Sequence, residues 1–192
     1  NFNHISVREK EGKVFLKNKT GIESKHVLDP VFLLDKDKYN FLANAKPLEE
    51  EYVLVYLISR TKGLMRTAKN IADFYGVKLV IISDFFIYSY FGETCNNSSI
   101  NDFVTLFKNA KYVVTNTFHG TSFALLFNKN FVVYSRYNKN SKIKSILNIS
   151  GLSNHLIEEN TILTEPIEVE DYSKVNNHLD EMKKKSMEFI NN

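Results

Sequence analysis

The chain has 192 residues, of which 43% are hydrophobic, and its 15 Phe and 10 Tyr residues can fill a substantial core. The 25 basic and 22 acidic residues leave a formal net charge of +3, which does not indicate a nucleic-acid or anionic-membrane partner. The single cysteine, Cys95, excludes an internal disulfide framework and a thiolate zinc site, so we expect a reducing environment.

The first fifty residues are predicted to contain short elements separated by loops. These elements are a strand at 5–7, a helix at 9–21, an extended piece at 25–29, a short helix from residue 35 and a loop at 44–51. Gly21 is suited to ending the first helix, and Pro30 interrupts the extended piece. No apolar run here or later approaches the roughly 20 residues that span a bilayer.

Strands and helices then alternate regularly. The predicted strands lie at 52–59, 78–83, 112–115 and 131–135, and the predicted helices at 63–76, from Ser98 or Ser99 to 107, at 119–127 and at 140–151. The strands are apolar throughout, as is typical of strands buried on both faces. A long connection, residues 84–97, is the exception to the short loops. The alternation predicts an α/β fold with a doubly wound, Rossmann-like parallel sheet.

The tail of the chain reads as an amphipathic helix. Its apolar stripe consists of Tyr172, Val175, Leu179, Met182 and Phe189. We therefore predict a Rossmann-like domain over residues 1–165 and a C-terminal helix, within 166–192, that packs on it. The first residues show no signal-peptide pattern and begin in a predicted strand, so we expect the chain to be cut from a longer protein.

The segment YVVTNTFHGTSFALLF, residues 112–127, places polar residues between a buried strand and a buried helix. Ligands of open parallel sheets bind at such strand ends, and a helix N-terminus attracts anions. Gly120 permits close approach of a ligand or of another backbone, and Thr121 and Ser122 can cap the helix or donate to phosphate oxygens. Hydroxyl residues and single histidines are also common at ordinary helix starts. The pattern alone predicts an anion site, with His119 beside it, and no named reaction.

Several motifs together resemble one known family. They are ISVRE (5–9), VLDPVFLL (27–34), Asn109-Ala110-Lys111, Phe118-His119-Gly120, Asn128-Lys129, Arg136, and Asn140-Ser141-Lys142-Ile143 followed by Gly151-Leu152. In this combination and order, residues 4–158 resemble the C-terminal part of the polysaccharide pyruvyl transferase family.

The resemblance implies a two-domain fold similar to GT-B glycosyltransferases, with the active site in the cleft between the domains. It implies a bacterial, cytoplasmic transferase, located at the membrane surface when the glycan is made there. That enzyme moves a pyruvyl group from phosphoenolpyruvate to a sugar hydroxyl of a surface polysaccharide or its precursor, forming a ketal. The resemblance implies no metal and no organic cofactor. We expect the N-terminal domain to lie outside this chain and the isolated chain to be inactive, with that domain or further copies of the chain as its protein partners.

The resemblance also implies a site. His119 is the expected catalytic residue, as acid, base or phosphate donor. The family often has Arg where this chain has Thr117, so a cation is missing there. The expected substrate-binding residues are Arg8, Thr117, Gly120, Thr121, Ser122, Arg136 and Lys142. The alternative for the two arginines is a salt bridge, and for Lys142 a solvated helix position. Asp29, which precedes Pro30, is expected to shape a turn.

The sequence leaves two other functions open. A GT-B glycosyltransferase that uses a nucleotide sugar needs an acidic residue on the ribose hydroxyls, and Glu158, Glu159 and Glu165 are candidates. A non-catalytic, flavodoxin-like binding module has the same sheet, but the chain lacks phosphate-loop glycines.

Overall fold

The structure, a computed structural model, describes residues 4–83, 89–95, 98–136 and 140–191. Its strands are, in chain order, β1 (Ser6–Val7), β2 (Lys25–His26), β3 (Tyr52–Tyr56), β4 (Lys78–Ile82), β5 (Glu93–Thr94), β6 (Tyr112–Thr115), β7 (Asn130–Tyr134) and β8 (Leu156–Ile157). Its α-helices are α1 (Lys10–Thr20), α2 (Lys36–Asn40), α3 (Leu64–Tyr75), α4 (Ile100–Asn109), α5 (Phe118–Leu126), α6 (Ser141–Ser150) and α7 (Tyr172–Asn191). Short 3-10 helices lie at Pro30–Phe32 and Ser153–His155.

Six strands form one fully parallel sheet in the order β5-β4-β3-β6-β7-β8. The chain runs from β3 outward to β5, returns to the other side of β3, and continues outward to β8. This is the strand order of the doubly wound Rossmann arrangement. The predicted α/β fold class is therefore confirmed. The direction of winding reverses between β3 and β6, where such sheets open a crevice at their carboxyl ends.

Local sequence signals explain where the helices begin and end. Ala68 and Ile71 lie on the fully buried face of α3, and Gly76 ends that helix with a left-handed φ of 64°. Ser99 and Asp102 form a capping box at the start of α4. Ser99 is thus the cap among the two serines considered.

The strands bury both faces. One face of the sheet packs against α4, α5, α6 and α7, and the other packs against α3 and the segment that follows β8. Successive residues of β3 alternate between the two cores, with Leu54 on the first and Val53 and Val55 on the second. Continuous apolar strands are therefore required, as the sequence indicated.

The short strands β1 and β2 form a separate parallel pair, connected by α1. The pair places the residues that follow Val7 and His26 at one common edge. The sequence predicted both extended pieces but not their pairing. α1 buries none of its side chains within the structure described here.

The predicted strands differ from the observed strands in length and in number. The strand predicted at 52–59 ends at Tyr56, because the next residues turn and bond to the neighbouring strand end. The two-residue strands β5 and β8 were not predicted, since they carry too few residues for a periodic signal. Part of the connection 84–97, including Asp84, lies outside the described residues.

The C-terminal part of the chain crosses the sheet before α7. The Tyr134 hydroxyl donates to the Thr161 carbonyl at 2.8 Å, and the Tyr112 hydroxyl donates to the Ile167 carbonyl at 2.8 Å. Val175 and Leu179 of α7 then join the core beside α6. The domain division at residue 165 stays a prediction.

No helix within the described ranges is long and apolar enough to cross a membrane.

Candidate functional site

A cavity of about 420 Å³ opens where β3, β6 and β7 end. Its lining residues are Arg8, Tyr56, Ile58, Thr117, Phe118, His119, Arg136, Ser141, Lys142 and Ile143. Residues that follow β1, β3, β6 and β7 thus meet at one place, although they are far apart in the sequence. The position is the crevice between β3 and β6 at which the sheet reverses.

The turn from β6 into α5 is fixed by threonine hydroxyls. The Thr117 hydroxyl caps α5 by accepting from the Gly120 N–H at 2.8 Å. The Thr115 hydroxyl donates to the Tyr56 carbonyl at 2.7 Å and accepts from the Thr117 N–H at 3.1 Å. These bonds hold the start of α5 against the end of β3. Thr117, at the position where the resemblance leads us to expect Arg, lines the cavity as a buried cap.

Asn116 supports the site from outside the cavity lining, and the sequence reasoning did not single it out. Its buried side chain accepts from the Ile58 N–H at 3.3 Å and donates to the Ser59 carbonyl at 2.7 Å and the Thr61 hydroxyl at 2.8 Å. It therefore ties the loop after β3 to the loop after β6, across the crevice. The sequence feature that could have identified Asn116 is its position as a polar residue directly after an apolar strand.

His119 is the second residue of α5 and is exposed to solvent in the cavity. Its ring meets the edge of the Phe118 ring, with 5.6 Å between centroids. The imidazole is not enclosed by apolar neighbours, and it shares the cavity with three cationic side chains. The ring is thus accessible to a bound molecule.

Arg8 reaches the cavity from the end of β1. Its Nη1 donates to the Asp29 carboxylate, and its guanidinium lies over the Phe118 ring at 5.5 Å from the centroid. The sequence expectation for Asp29 was a turn, and its Oδ1 does accept from the Val31 N–H at 3.1 Å. The carboxylate has the additional role of holding Arg8.

Arg136 and Lys142 complete the cluster of cations. The Arg136 N–H donates to the Asn140 side chain at 2.7 Å, and no carboxylate among the described residues pairs with the Arg136 guanidinium. Lys142, at the start of α6, lies 3.9 Å from a Glu9 oxygen, and the Ser141 hydroxyl donates to the other Glu9 oxygen at 2.6 Å. Glu9 was not singled out in the sequence, although it directly follows Arg8.

Three of the expected binding residues lie beside the cavity rather than on its wall. The Thr121 hydroxyl donates to the Thr117 carbonyl and the Ser122 hydroxyl to the Phe118 carbonyl, both at 2.9 Å. Both side chains are fully buried in α5. Gly120 is also buried, and a Cβ there would lie 2.2 Å from the Thr115 hydroxyl oxygen. The atoms that come close to Gly120 thus belong to Thr115 and Thr117 of the same β6–α5 turn.

The acidic residues considered for ribose binding are outside the cavity lining. Glu158 accepts from the Ser135 hydroxyl at 3.0 Å, beside the ends of β7 and β8. Glu159 contributes a backbone carbonyl close to Gly63, and Glu165 is exposed.

Two further candidates for acid–base or thiol chemistry, His155 and Cys95, lie outside the cavity lining. His155 is buried, and its Nδ1–H donates to the Phe131 carbonyl at 2.7 Å. Cys95 is half-buried, and burial raises the pKa of its thiol. No group of three His, Cys, Asp or Glu side chains in the described part of the chain is arranged to hold a metal ion.

Comparison with known proteins adds two findings. A sequence model of the polysaccharide pyruvyl transferase family matches residues 1–138. The matched part contains Arg8, His119 and Arg136, and Lys142 lies beyond it. No curated protein matches the chain significantly.

A solved structure of the wall teichoic acid polymerase TagF is similar over 99% of this chain and 51% of that chain, with 13% identity and a TM-score of 0.44. The chain therefore spans about half the length of that polymerase.

Proposed function

Because the chain belongs to the polysaccharide pyruvyl transferase family, we propose that its cavity binds phosphoenolpyruvate as the pyruvyl donor. The acceptor is a sugar with two hydroxyl groups, on a surface polysaccharide or its precursor. We assign the second wall of the active site, which receives this sugar, to a further domain of the full protein. The product is a cyclic ketal and inorganic phosphate.

One observation carries the proposal: Arg8, Arg136 and Lys142 line one cavity together with the exposed His119. Phosphoenolpyruvate carries a carboxylate and a phosphate on three carbon atoms. Binding it requires several donors of positive charge within a small volume, and arginine forks suit both groups. The three cations supply the charge that Thr117 does not provide.

The chemistry requires proton transfer as well as anion binding. Two C–O bonds form at C2 of the donor, a C–H bond forms at its methylene carbon, and the C2–O bond to phosphate breaks. Of the two acceptor hydroxyl protons, one ends on the new methyl group and the other leaves with phosphate. An accessible imidazole beside the anion site can deliver or accept these protons, so we assign this role to His119.

Isothermal titration of the purified chain tests the donor. We expect phosphoenolpyruvate to bind, and UDP, GDP and flavin mononucleotide to bind more weakly or not at all. Arg136→Ala should weaken phosphoenolpyruvate binding roughly tenfold or more, which corresponds to ~1.4 kcal/mol. Arg66→Ala, at an exposed position of α3, is the matched control and should bind normally.

Binding of UDP or GDP without binding of phosphoenolpyruvate would instead indicate the nucleotide-sugar glycosyltransferase. Tight binding of the flavin would indicate the binding module. Either result contradicts the proposed donor.

A further inference from the structure

The ion pair between Asp29 and Arg8 is positioned by the small β1–β2 sheet, because each residue follows one of its two strands. Arg8 follows β1 by one residue and Asp29 follows β2 by three, so the parallel pairing of Val7 with His26 brings them to one edge. The Val27 N–H donates to the Val7 carbonyl at 2.9 Å, which fixes the two segments directly beside the pair.

Asp29 itself is held on two sides. Its carboxylate caps the turn through the Val31 N–H at 3.1 Å, and the neighbouring Leu28 N–H donates to the fully buried Ser186 hydroxyl of α7 at 2.9 Å. Asp29 is only 6% exposed, whereas the Arg8 side chain is 38% exposed. The fixed partner is therefore the acid, and the arginine extends from it into the cavity.

The arrangement leaves most of the arginine fork unused. Asp29 accepts from Nη1, and one face of the guanidinium lies over the Phe118 ring. A guanidinium has five N–H donors in one plane, so donors remain on the edge directed away from Asp29. If the Arg8 guanidinium moved away from Asp29, the buried carboxylate would lose its counter-charge, which is costly in free energy. Arg8 is thus kept in one orientation before any ligand arrives.

We propose that Asp29 is a positioning residue that orients Arg8 for binding the anionic donor. The proposal rests on the proposed function, in which that donor is phosphoenolpyruvate. Asp29 lowers the loss of side-chain entropy on binding, because Arg8 is already immobilised. The residue that shapes the Asp-Pro turn thereby also determines the geometry of the anion site.

Asp29→Asn separates the two roles of this side chain. The amide oxygen can still accept from the Val31 N–H, but the charge that holds Arg8 is removed. We expect the dissociation constant for phosphoenolpyruvate to rise roughly tenfold, equivalent to ~1.4 kcal/mol. Asp35→Asn is the matched control, since Asp35 also precedes a helix but pairs with Lys183 at the surface. The control should bind as the wild type does.

A double-mutant cycle with Arg8→Ala shows whether Asp29 acts through Arg8. In the Arg8→Ala background, Asp29→Asn should have no further effect on binding. Equal losses in both backgrounds, or unchanged or tighter binding by Asp29→Asn, would overturn the proposal.

Side-chain nitrogen-15 spectra give a readout that needs no ligand. The chain has four arginines, so their Nε–H signals can be resolved, and Arg8→Lys assigns the relevant one. We expect a motionally restricted Arg8 signal in the wild type and an averaged one in Asp29→Asn. An Arg8 signal that is equally mobile in both would refute the positioning role. If the wild type binds no phosphoenolpyruvate, the donor assignment fails, while this spectrum still decides whether Asp29 fixes Arg8.

Discussion

At the level of single residues, the candidate site separates reactive groups from the groups that support them. His119 is exposed, while Thr117, the cap of the same helix, is almost fully buried. The threonine makes the local hydrogen bonds, so the imidazole is not needed for structure. A side chain on which the fold does not depend can change its protonation state without disturbing the structure.

His119→Ala should therefore slow pyruvyl transfer strongly without unfolding the protein. In a full-length protein with its acceptor, we expect turnover to fall roughly 100-fold or more, the typical contribution of a positioned acid or base. The melting temperature should barely change, because exposed substitutions away from caps cost little stability. His178→Ala, at an exposed position of α7, is the control. Phosphate release measured with both variants decides the matter, and an unaffected rate for His119→Ala would remove the assigned role.

The two carboxylates near the cavity, Asp29 and Glu9, differ in the side chains that they contact. Asp29 orients Arg8, whereas Glu9 bonds to Ser141 and lies near Lys142 at the start of α6. Arg136 has no carboxylate partner among the described residues. Its charge is the least compensated of the three cations, which is why its replacement is the sharpest test of anion binding.

At the level of elements, the turn between β6 and α5 is a closely packed unit. Thr115 and Thr117 place their side-chain oxygens over Gly120, which leaves no room for a larger residue. Asn116 then connects the unit to the loop after β3. The start of α5, and with it His119, is positioned by contacts on the buried side of the turn.

Gly120→Ala should destabilise the protein, because its new Cβ would lie 2.2 Å from the Thr115 oxygen and 2.7 Å from the Thr117 oxygen. We expect the free energy of unfolding to fall by about 1–3 kcal/mol, as for overpacking of other interiors. Gly12→Ala is the matched control in α1, where the nearest atoms are 3.7 Å away. It should stabilise by about 0.5–1 kcal/mol, because alanine favours a helix interior over glycine. Denaturant unfolding of both variants measures the difference; equal effects would contradict this packing argument.

At the level of the whole molecule, the buried His155 and the half-buried His26 connect stability to pH. Burial lowers the pKa of His155, although its bond to the Phe131 carbonyl opposes this shift. Burial also lowers the pKa of His26, which lies near Ser145 of α6. The unfolded chain binds these protons more tightly than the folded chain. Stability is therefore complete above the unfolded pKa of about 6.5 and declines as the pH falls towards the lower folded values.

His155→Gln tests this dependence, because glutamine can still donate to the Phe131 carbonyl but does not titrate. Between about pH 7.5 and about pH 5.5, the melting temperature of the variant should fall less than that of the wild type. His178→Gln, at an exposed position, should behave like the wild type. Parallel melting curves for His155→Gln and the wild type at every pH would show that His155 is not a source of the acid sensitivity.

The sequence alone indicated the four longer strands of the central sheet. The strands predicted at 52–59, 78–83, 112–115 and 131–135 overlap β3, β4, β6 and β7, because the signals of these strands and of the helices between them are local to each segment. The same local reasoning located His119 at a strand end, since a polar turn between two buried elements is visible in a single stretch of chain.

Only the tertiary structure decided which residues meet. Arg8 and Arg136 are separated by most of the chain, and no periodicity indicates that both reach the cavity beside His119. The two-residue strands β5 and β8 likewise exist only because each pairs with a neighbouring strand of the sheet. Asp29 gave a signal for a turn but none for an ion pair, because its partner is supplied by a different strand of the small sheet. Pairing between distant segments depends on strand order and register, which the folded chain alone establishes.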